Sequence, residues 1–454
     1  MRRRSFINNF ASSFAFTYLP SSVFGANQRL QIASIGVGGK GRSDSDQLGR
    51  HGEIIALCDV DQKRLQFAAQ QNKRVQKFSD FRELITLLGD RIDVLSISTP
   101  DHSHALAAQM SLECGIHVFV QSPLTHTVWE SRHLKKLSKE KKLCTQMGIQ
   151  GTAQDSFREA VEFLQAGRLG EIKEIHVWTN KPSWPQAPII VDQPQEKNRV
   201  PDHLNWSCFL AGSTNRAYHS CYHPYNWRGW LDFGSGALGD SGSHLINLPL
   251  MGCDLPSPQK VQCLHRGPVN LHTYPAWATV RYEFQLNEKS AIPLIWYEGR
   301  VGHLGDKLRG KTNHPPTDLF SGIAIPSSGS LLVGSKGMLL TRGEYGTNWY
   351  LNQGKGWNDY SSLPRTNPVL PRNGRGDSGM KDELVRAVKL GRPDLCVANF
   401  DYSARLAEIC QLGNVAILEG NEIEWNPQEM KTGSASSDRR LSKAYRRGWE
   451  VKEV

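Results

Sequence analysis

Short apolar runs alternate with amphipathic segments along the first third of the chain. The apolar runs, which we interpret as buried strands, cover residues 32–35, 53–57, 75–78, 93–98, 116–120 and 143–147. The segments between them have helical spacing, and Asp61, Asp80 and Asp101 stand where an N-terminal capping residue belongs. Repeated strand–helix units of this kind predict a doubly wound parallel sheet of the α/β class.

The pattern changes at about residue 150, where we expect a second domain of the α+β class to begin. Predicted strands cover residues 172–178, 261–264, 278–284, 292–297, 331–333 and 338–340, and predicted helices cover 157–164, 381–390, 402–418 and 441–449. Residues 181–201 are rich in Pro, Gln and Asn and are predicted to form a long loop. The chain is therefore divided into residues 1–26, a first domain over 27–150 and a second domain over 151–454.

The first 26 residues combine a basic start with a moderately apolar run. Arg3 and Arg4 form a twin-arginine pair, and the run over 10–24 contains Ser and Pro, so it is too short and too polar to span a membrane. This pattern predicts a twin-arginine signal peptide, recognised by the twin-arginine export machinery, and hence a periplasmic or otherwise exported protein. A basic, disordered tail is the alternative interpretation.

Composition narrows the function classes. The chain has 454 residues, 39% hydrophobic and 22% charged, which is typical of an ordinary soluble protein with sizeable cores. The net charge of +10 comes from scattered basic residues without a recognised nucleic-acid module, so no nucleic-acid partner is expected. The nine cysteines form no C-x-x-C pair, and neither a metal site nor a disulfide framework is indicated.

The first predicted strand continues directly into a glycine-rich turn. Residues 36–41 read Gly-Val-Gly-Gly-Lys-Gly, which fits G-x-G-x-x-G and stands between a strand and a helix. This is the dinucleotide fingerprint, in which glycines permit the tight turn, the approach of a pyrophosphate and close helix–strand packing. The residues predicted to bind the phosphates are Gly36, Gly38, Gly39, Lys40 and Gly41.

Asp59 ends the second predicted strand, roughly 20 residues beyond the first glycine, where a carboxylate can accept from the ribose hydroxyls. The same carboxylate would repel a 2′-phosphate, so NAD is favoured over NADP. Together with the fingerprint it predicts that the first domain has the Rossmann fold. Because carboxyl ends of parallel strands meet at one edge, further cofactor contacts are predicted there. They are Thr99, Pro100, Asp101, His104 and Gln121, joined by Trp227 and Arg228 from a later segment.

Several motifs together resemble the Gfo/Idh/MocA superfamily of oxidoreductases. Besides the fingerprint, they are Thr-Pro-Asp-His-Ser-His at 99–104, Gln-Ser-Pro-Leu at 121–124 and Gly-Ala-Leu-Gly-Asp-Ser-Gly-Ser-His at 236–244. The segments 222–230 and 445–450 resemble exported members with long second domains. The resemblance implies that NAD(P) binds in the first domain and that a sugar or polyol binds over an open mixed sheet in the second. The exposed face of that sheet often mediates oligomers, so a homodimer or homotetramer is expected.

The resemblance also implies a reacting site made of a Lys in a Glu-Lys-Pro turn and of an Asp and a His four residues apart on a helix. Asp240 and His244 match the Asp and the His, and residues i and i+4 of a helix share one face. His244 would then take a hydroxyl proton while hydride passes to the nicotinamide, with Asp240 assisting. On the residues alone, a surface or capping carboxylate and a core histidine are the alternatives.

The Glu-Lys-Pro turn is where this sequence departs from the family. It reads Gln121-Ser122-Pro123, and a serine hydroxyl is neutral and shorter than the ammonium that would stabilise a developing alkoxide. Ser122 is therefore a candidate catalytic residue whose chemistry differs, and Arg228 and His104 are the candidates to supply the missing charge. Residues 373–383 depart as well, because they lack the paired histidines of the subgroup.

We expect an NAD-dependent oxidoreductase of a sugar, a polyol or a sugar derivative, with the cofactor tightly held because free NAD is scarce outside the cytoplasm. Two alternatives stay open. One is an NAD-dependent glycoside hydrolase or lyase that oxidises a ring carbon transiently, and the other is a non-catalytic, cofactor-bound sugar-binding protein. Some tryptophans near the long loop are expected to line the sugar site, because indole faces stack on pyranose rings. They are Trp178, Trp184, Trp206, Trp227 and Trp230.

Overall fold

The structure, a computed structural model, describes residues 29–70, 74–182, 193–196, 198–287, 290–301, 311–360 and 369–452. The predicted signal peptide lies outside these residues, as do Trp184 and part of the predicted loop over 181–201. Across the described ranges, no helix has the length and the apolar character of a membrane span.

The first domain is built on a six-stranded sheet in which all neighbouring strands are parallel, in the order β3–β2–β1–β4–β5–β6. The strands are β1 (Leu30–Ile35), β2 (Gly52–Cys58), β3 (Gln76–Phe78), β4 (Val94–Ile97), β5 (His117–Gln121) and β6 (Thr145–Gly148). The central strand β4 is buried at every position, which agrees with its largely apolar sequence, interrupted by Ser96. The predicted doubly wound parallel sheet is confirmed.

Helices connect these strands. They are α1 (Lys40–Leu48), α2 (Gln62–Ala69), α3 (Phe81–Leu88), α4 (His104–Glu113) and α5 (Val128–Lys141). Asp61 and Asp80 cap α2 and α3 through their side chains, as the sequence predicts. Asp101 is not a cap, which corrects the prediction. It opens a short 3₁₀ turn, Asp101–Ser103, ahead of α4, and its buried side chain lines a cleft instead.

The second domain contains a mixed sheet in the order β15–β14–β13–β12–β7–β10–β9–β8–β16, with β11 paired to β10. Its strands are β7 (Ile172–Thr179), β8 (Lys260–Arg266), β9 (Trp277–Asn287), β10 (Ser290–Val301), β11 (Lys311–Thr312), β12 (Ser328–Gly334), β13 (Gly337–Arg342), β14 (Asn348–Asn352), β15 (Trp357–Asp359) and β16 (Glu422–Glu424). The pair β7–β10 is parallel and the other neighbours on the path are antiparallel. The expected open mixed sheet is confirmed.

The helices of the second domain are α6 (Asp155–Gln165), α7 (Trp206–Leu210), α8 (Ser243–Leu245), α9 (Asn247–Gly252), α10 (Gly376–Leu390), α11 (Phe400–Glu419) and α12 (Ala435–Asp438). The final helix predicted over residues 441–449 does not form. That segment docks in an irregular conformation, with Leu441 and Trp449 buried. Trp449 packs edge-on against Phe81, with ring centroids 5.7 Å apart, so tertiary contacts rather than helical hydrogen bonds fix this segment.

One continuous apolar core joins the two sheets. Val94 and Phe119 of the first domain belong to the same cluster of buried side chains as Leu294 and Leu412 of the second. The long helix α11, which is buried along most of its length, packs against α5 on one side and against β8 on the other. This shared core fixes the second domain over the carboxyl edge of the parallel sheet.

Candidate active site

A cleft of about 660 Å³ opens at the carboxyl ends of β1, β2, β4 and β5. Its opposite wall belongs to the second domain. That wall is formed by the end of β7, the loop over 223–228, the helical turn over 236–244 and the loop over 344–347. Both predicted halves of the site, for cofactor and for substrate, therefore face one space.

The backbone of the glycine-rich turn packs so closely that side chains at Gly36 and Gly41 would collide there. Only glycines at these positions permit this tight turn, which is the geometry of a dinucleotide-binding turn. Gly36 has a φ of 76°, and a Cβ there would lie 2.5 Å from the carbonyl oxygen of Ser98. A Cβ at Gly41 would collide with the carbonyl oxygen of Gly36. The turn is thus compact enough for α1 to point its unpaired N–H groups into the cleft, which is how such turns hold a pyrophosphate.

Asp59 lies at the end of β2 with its carboxylate already oriented. One oxygen accepts from the backbone N–H of Val37 and the other from that of Asp61, both at 2.9 Å. Burial raises the pKa of Asp59, and the two N–H bonds work in the opposite direction. Each oxygen keeps a further lone pair for the ribose hydroxyls, as the prediction requires.

Asp44 of α1 organises the cofactor side of the cleft. It is fully buried and accepts hydrogen bonds from Ser98 at 2.8 Å and from the Gln121 side-chain amide at 2.7 Å. It also forms ion pairs with Lys40 and, at 2.6 Å, with the fully buried Lys381 of α10. The amide of Gln121 is therefore held in a fixed orientation at the edge where the cofactor would lie.

The stretch over 373–383, which lacks histidines, docks the second domain onto this network. Asp377 pairs with Lys40 at 2.9 Å and with Lys381 at 2.6 Å, and it lines the cleft. Burial alone would raise the pKa of Asp377, but the two ammonium groups lower it to about 2. Asp377 therefore stays ionised beside the fingerprint turn.

His244 and Ser122 meet across the domain boundary. The His244 Nε2 and the Ser122 Oγ lie 3.2 Å apart, within hydrogen-bond distance. The His244 ring packs edge-on against Tyr345, and its Nδ1 has no hydrogen-bond partner among the described residues. Burial lowers the pKa of His244, so the ring is neutral at neutral pH and can act as a base.

Asp240 binds two cations, one on each carboxylate oxygen. Lys181 Nζ lies 3.2 Å from Oδ2, and Arg228 Nε lies 3.4 Å from Oδ1. Lys181 also pairs with Glu344 at 2.7 Å. Burial disfavours the ammonium, but Asp240 and Glu344 outweigh it and raise the pKa of Lys181, which is therefore charged.

The helix that carries Asp240 and His244 differs from the predicted one. Leu238–Gly242 is a turn of π-helix, and α8 follows directly. A π turn is wider than an α turn and is frequent at functional sites. Both side chains nevertheless line the cleft, so the structure brings the predicted pair together.

Of the two candidates to replace the missing lysine, His104 is unsuitable. It is fully buried and does not line the cleft, and its two ring nitrogens lie 2.9 Å from the Pro123 carbonyl oxygen and 2.8 Å from that of Thr99. Burial also lowers its pKa, which disfavours the charged form of the ring. The predicted contact of His104 with the cofactor is corrected for the same reason.

Arg228, the other candidate, lies on the cleft wall and makes cation–π contacts with two aromatic rings. Its guanidinium carbon is 4.7 Å from the Tyr225 ring centroid and 4.3 Å from that of Trp227. It also faces Asp101, whose pKa burial raises to about 7, against the opposing effect of Arg228. The rings of Tyr225 and Trp227 and the carboxylate of Asp240 therefore fix the position of the Arg228 guanidinium on the cleft wall.

Of the described tryptophans proposed for the sugar site, Trp227 alone lines the cleft. Trp178 packs edge-on against Phe320, and Trp206 and Trp230 pack in an aromatic cluster to which Trp227 also belongs. Clustering along the sequence therefore overestimated their role, because Trp178, Trp206 and Trp230 contribute to the packing of the domain.

The structure places nearly all of the predicted residues at the cleft. Those that line it are Gly36, Gly38, Gly39, Lys40, Asp59, Thr99, Pro100, Asp101, Gln121, Ser122, Trp227, Arg228, Asp240 and His244. Gly41 packs beneath the turn, against Gly36. Residues not foreseen are Arg64, Lys181, Glu344, Tyr345 and Asp377. A signal existed for Lys181, a lysine three residues beyond the predicted strand over 172–178, but Glu344 and Tyr345 lie in a loop without a recognised motif.

Comparison with known proteins agrees with this architecture. Residues 30–149 match a family model described as "Oxidoreductase family, NAD-binding Rossmann fold", and residues 183–289 match its companion, "Oxidoreductase family, C-terminal alpha/beta domain". Together the two models match half of the chain.

Curated relatives match in shorter segments. The chain is 25% identical over 171 residues to levoglucosan dehydrogenase of Pseudarthrobacter phenanthrenivorans, covering 37% of this chain and 35% of that protein. It is 36% identical over 110 residues to a glycosyl hydrolase family 109 protein of a Shewanella strain, covering 22% and 24%. The matched segments thus span well under two thirds of these relatives.

Solved structures match over most of the chain. Levoglucosan dehydrogenase in complex with NADH and levoglucosan has a TM-score of 0.59 at 16% identity, covering 87% of this chain and 99% of that one. An inositol dehydrogenase homolog from Azotobacter vinelandii, in complex with NADH and myo-inositol, has a TM-score of 0.59 at 15% identity, covering 88% and 98%. At sequence identities this low, the structural similarity shows a shared fold and no more.

Proposed function

Because the chain belongs to the Gfo/Idh/MocA family of oxidoreductases and its first domain is an NAD-binding Rossmann domain, we propose that it is an NAD-dependent dehydrogenase of a neutral sugar, polyol or sugar derivative. The observation that carries the proposal is the common cleft. His244, a buried neutral base, opens into the same space as the dinucleotide turn and Asp59.

NAD, when bound, accepts the hydride that leaves the carbinol carbon of the substrate. The residues that would hold it are the turn over 36–41, Asp59 and Gln121. His244 Nε2 takes the hydroxyl proton of the carbinol, so that a carbonyl remains, and later releases the proton to solvent. Asp240 positions the two cations on the wall next to this base.

The charges of the cleft favour a substrate without net charge. Lys181, Arg228, Asp240 and Glu344 form two positive and two negative groups that are paired with each other. Paired charges of this kind present hydrogen-bond donors and acceptors to hydroxyl groups without attracting an ion. Levoglucosan and myo-inositol, which appear with related structures, are neutral polyhydroxylated rings.

We also propose that NAD is held tightly, because ion pairs tie the fingerprint turn to the second domain. Lys40 of the turn pairs with Asp377, which comes from α10. Release of the cofactor then requires local loosening of that contact.

The test is mass spectrometry of the nucleotide released from the purified native protein, before and after incubation with a panel of neutral sugars, polyols and glycosides. The expected result is bound NAD that becomes NADH with one sugar or polyol. His244→Asn should abolish the reduction, while His265→Asn, at an exposed histidine of β8, should leave it unchanged. Absence of NAD, or NAD that no compound reduces, would refute the proposal.

A second candidate is a glycosidase that oxidises a ring carbon transiently and then reduces it back. The match to the glycosyl hydrolase family 109 protein favours it. In the same experiment it predicts cleavage of a glycoside while the bound NAD stays oxidised. Sugar binding with neither reduction nor cleavage would instead point to a non-catalytic binding protein.

We further propose export through the twin-arginine route, on the strength of Arg3 and Arg4, and assembly into a homodimer or homotetramer. Replacing both arginines by lysine should retain the protein in the cytoplasm, as cell fractionation would show. Light scattering of the purified protein measures the size of the assembly, and a monomer at all concentrations would contradict it.

A further inference from the structure

We propose that Lys181 supplies, from the second domain, the positive charge at the reacting centre that the family places in the first domain and that Ser122 cannot supply. The inference rests on the proposed function, and it assigns a catalytic role to a residue outside the family pattern. Ser122 then serves as a hydrogen-bond partner of the base, and the positive charge comes from Lys181.

The position of Lys181 supports this role. It follows the end of β7 by two residues, and its side chain is largely buried at the cleft, with 17% exposed. Its ammonium contacts Asp240, which belongs to the same helical segment as His244. Ser122, which contacts His244 itself, lines the same cleft. The cation, the base and the hydroxyl therefore line the same cleft.

The chemistry of the ammonium fits the task better than that of Arg228. An ammonium is a compact point charge, whereas a guanidinium is a broad planar group. The guanidinium of Arg228 already contacts the rings of Tyr225 and Trp227 on the cleft wall. The charge of Lys181 also acts on His244 directly, because it adds to the effect of burial in lowering the pKa of that histidine.

The proposed step is balanced as follows. The carbinol O–H proton moves to His244 Nε2, the C–H electron pair leaves as hydride to the bound cofactor, and the carbon–oxygen bond becomes a carbonyl. Negative charge develops on the oxygen as its proton departs, and an ammonium fixed in position stabilises that charge. Asp240 and Glu344 hold the ammonium in place before the reaction begins.

Three variants test the assignment. Lys181→Met removes the charge, and Lys181→Gln removes it while keeping a hydrogen-bond donor toward Asp240 and Glu344. The double variant Ser122→Lys with Lys181→Met returns an ammonium to the turn of the first domain. Lys173→Met, at an exposed lysine of the same strand β7, is the matched control.

On the NAD-loaded protein and the sugar that reduces it, we expect each single Lys181 substitution to lower kcat by about 100-fold or more, with little change in KM. The double variant should recover at least about tenfold of the loss, and Lys173→Met should match the native chain. A second readout needs no turnover. NMR titration of labelled histidine should show a higher pKa for His244 in both Lys181 variants.

A folded Lys181→Met or Lys181→Gln variant that keeps its kcat within threefold, while the native chain is active, would overturn this inference and leave the proposed function intact. An unchanged His244 titration would overturn it too. A native chain that reduces its NAD with no compound would instead refute the proposed function, and the inference with it.

Discussion

The hydroxyl of Ser122 is the one polar contact that the described residues provide to the His244 ring. Its Oγ lies 3.2 Å from Nε2, the atom that must accept the substrate proton. A serine at this position orients the imidazole and can pass a proton to it. A lysine there would add a second positive charge beside that of Lys181. At the scale of single residues, Ser122 therefore orients the base, and the charge that the family places in this turn is supplied by Lys181.

Ser122→Ala tests this role. We expect kcat to fall about 2- to 10-fold, because a neutral hydrogen bond contributes on the order of 1 kcal/mol. The effect should be far smaller than that of Lys181→Met, and KM should change little. Steady-state kinetics with the identified substrate provides the measurement, and a loss as large as that of the lysine variant would contradict it.

The pH dependence of the reaction should report His244. Burial lowers its pKa, Lys181 and Lys40 act in the same direction, and Glu344 and Asp240 oppose them. Because the neutral ring is the base, oxidation should be fully active at neutral pH and decline only as the pH falls through this lowered pKa. The profile of kcat/KM should accordingly bend below pH 6.5, the ordinary value for histidine. A bend above that value would argue against His244 as the base.

At the scale of elements, α10 connects the second domain to the cofactor turn. Its first turn carries Asp377, and its second turn carries the buried Lys381. Lys381 forms ion pairs with both Asp377 and Asp44. Residues 373–383, which contain no histidine, therefore contribute ion pairs to the cleft. These pairs close the cofactor edge of the cleft.

Asp377→Asn should weaken this closure. We expect bound NAD to dissociate about two- to fivefold faster, the range for one partly exposed ion pair. Dilution of the NAD-loaded protein, followed by the loss of bound nucleotide over time, gives the rate. Asp394→Asn, which breaks the exposed pair with Arg392 away from the cleft, is the control and should leave the rate unchanged.

The sequence predicted the elements with clear periodicity and failed where tertiary contacts decide. Strands β1, β2 and β4 contain short, mostly apolar runs, and the cap of α2 follows from Asp61. The short strands β14 and β15 were not foreseen, because residues 348–359 are mixed polar and aromatic without alternation. Likewise, the docked conformation of residues 441–449 depends on partners such as Phe81, which no local pattern contains.

The same distinction applies to the site. The fingerprint and Asp59 were predicted from their spacing and their place after predicted strands, whereas Asp240 and His244 were predicted from the resemblance to the family. Lys181 and Glu344 lie 163 positions apart in the sequence, and only the folded sheet brings them together as an ion pair. Charge partners of this kind are properties of the assembled fold.

At the scale of the whole molecule, one buried acid makes stability depend on pH. Glu298 of β10 is 2% exposed, and its carboxyl accepts from the Trp296 indole N–H at 2.8 Å. Burial raises its pKa to about 8, against the effect of that hydrogen bond. The folded chain therefore retains a proton that the unfolded chain loses above its ordinary value near 4.5, and this contribution to stability declines as the pH rises from about 4.5 to 8.

Glu298→Gln should remove this decline, because its amide does not titrate. The denaturation midpoint of the variant, relative to the native chain, should be higher at pH 8 than at pH 5. One such group contributes at most about 1.4 kcal/mol per pH unit. Glu422→Gln, at an exposed glutamate of β16, should show no such trend. Equal midpoint differences at both pH values would mean that Glu298 does not titrate in this range.

The pairing of Lys181 with Asp240 and Glu344 has a consequence for domain exchange. The base, both carboxylates and this cation belong to residues 151–454, and Ser122 is the first-domain residue whose side chain lies within hydrogen-bond distance of the base. A first domain with a Glu-Lys-Pro turn in place of residues 121–123 would bring a second ammonium group to the same histidine. Such a chimera would be mismatched in charge even where its two domains matched in shape.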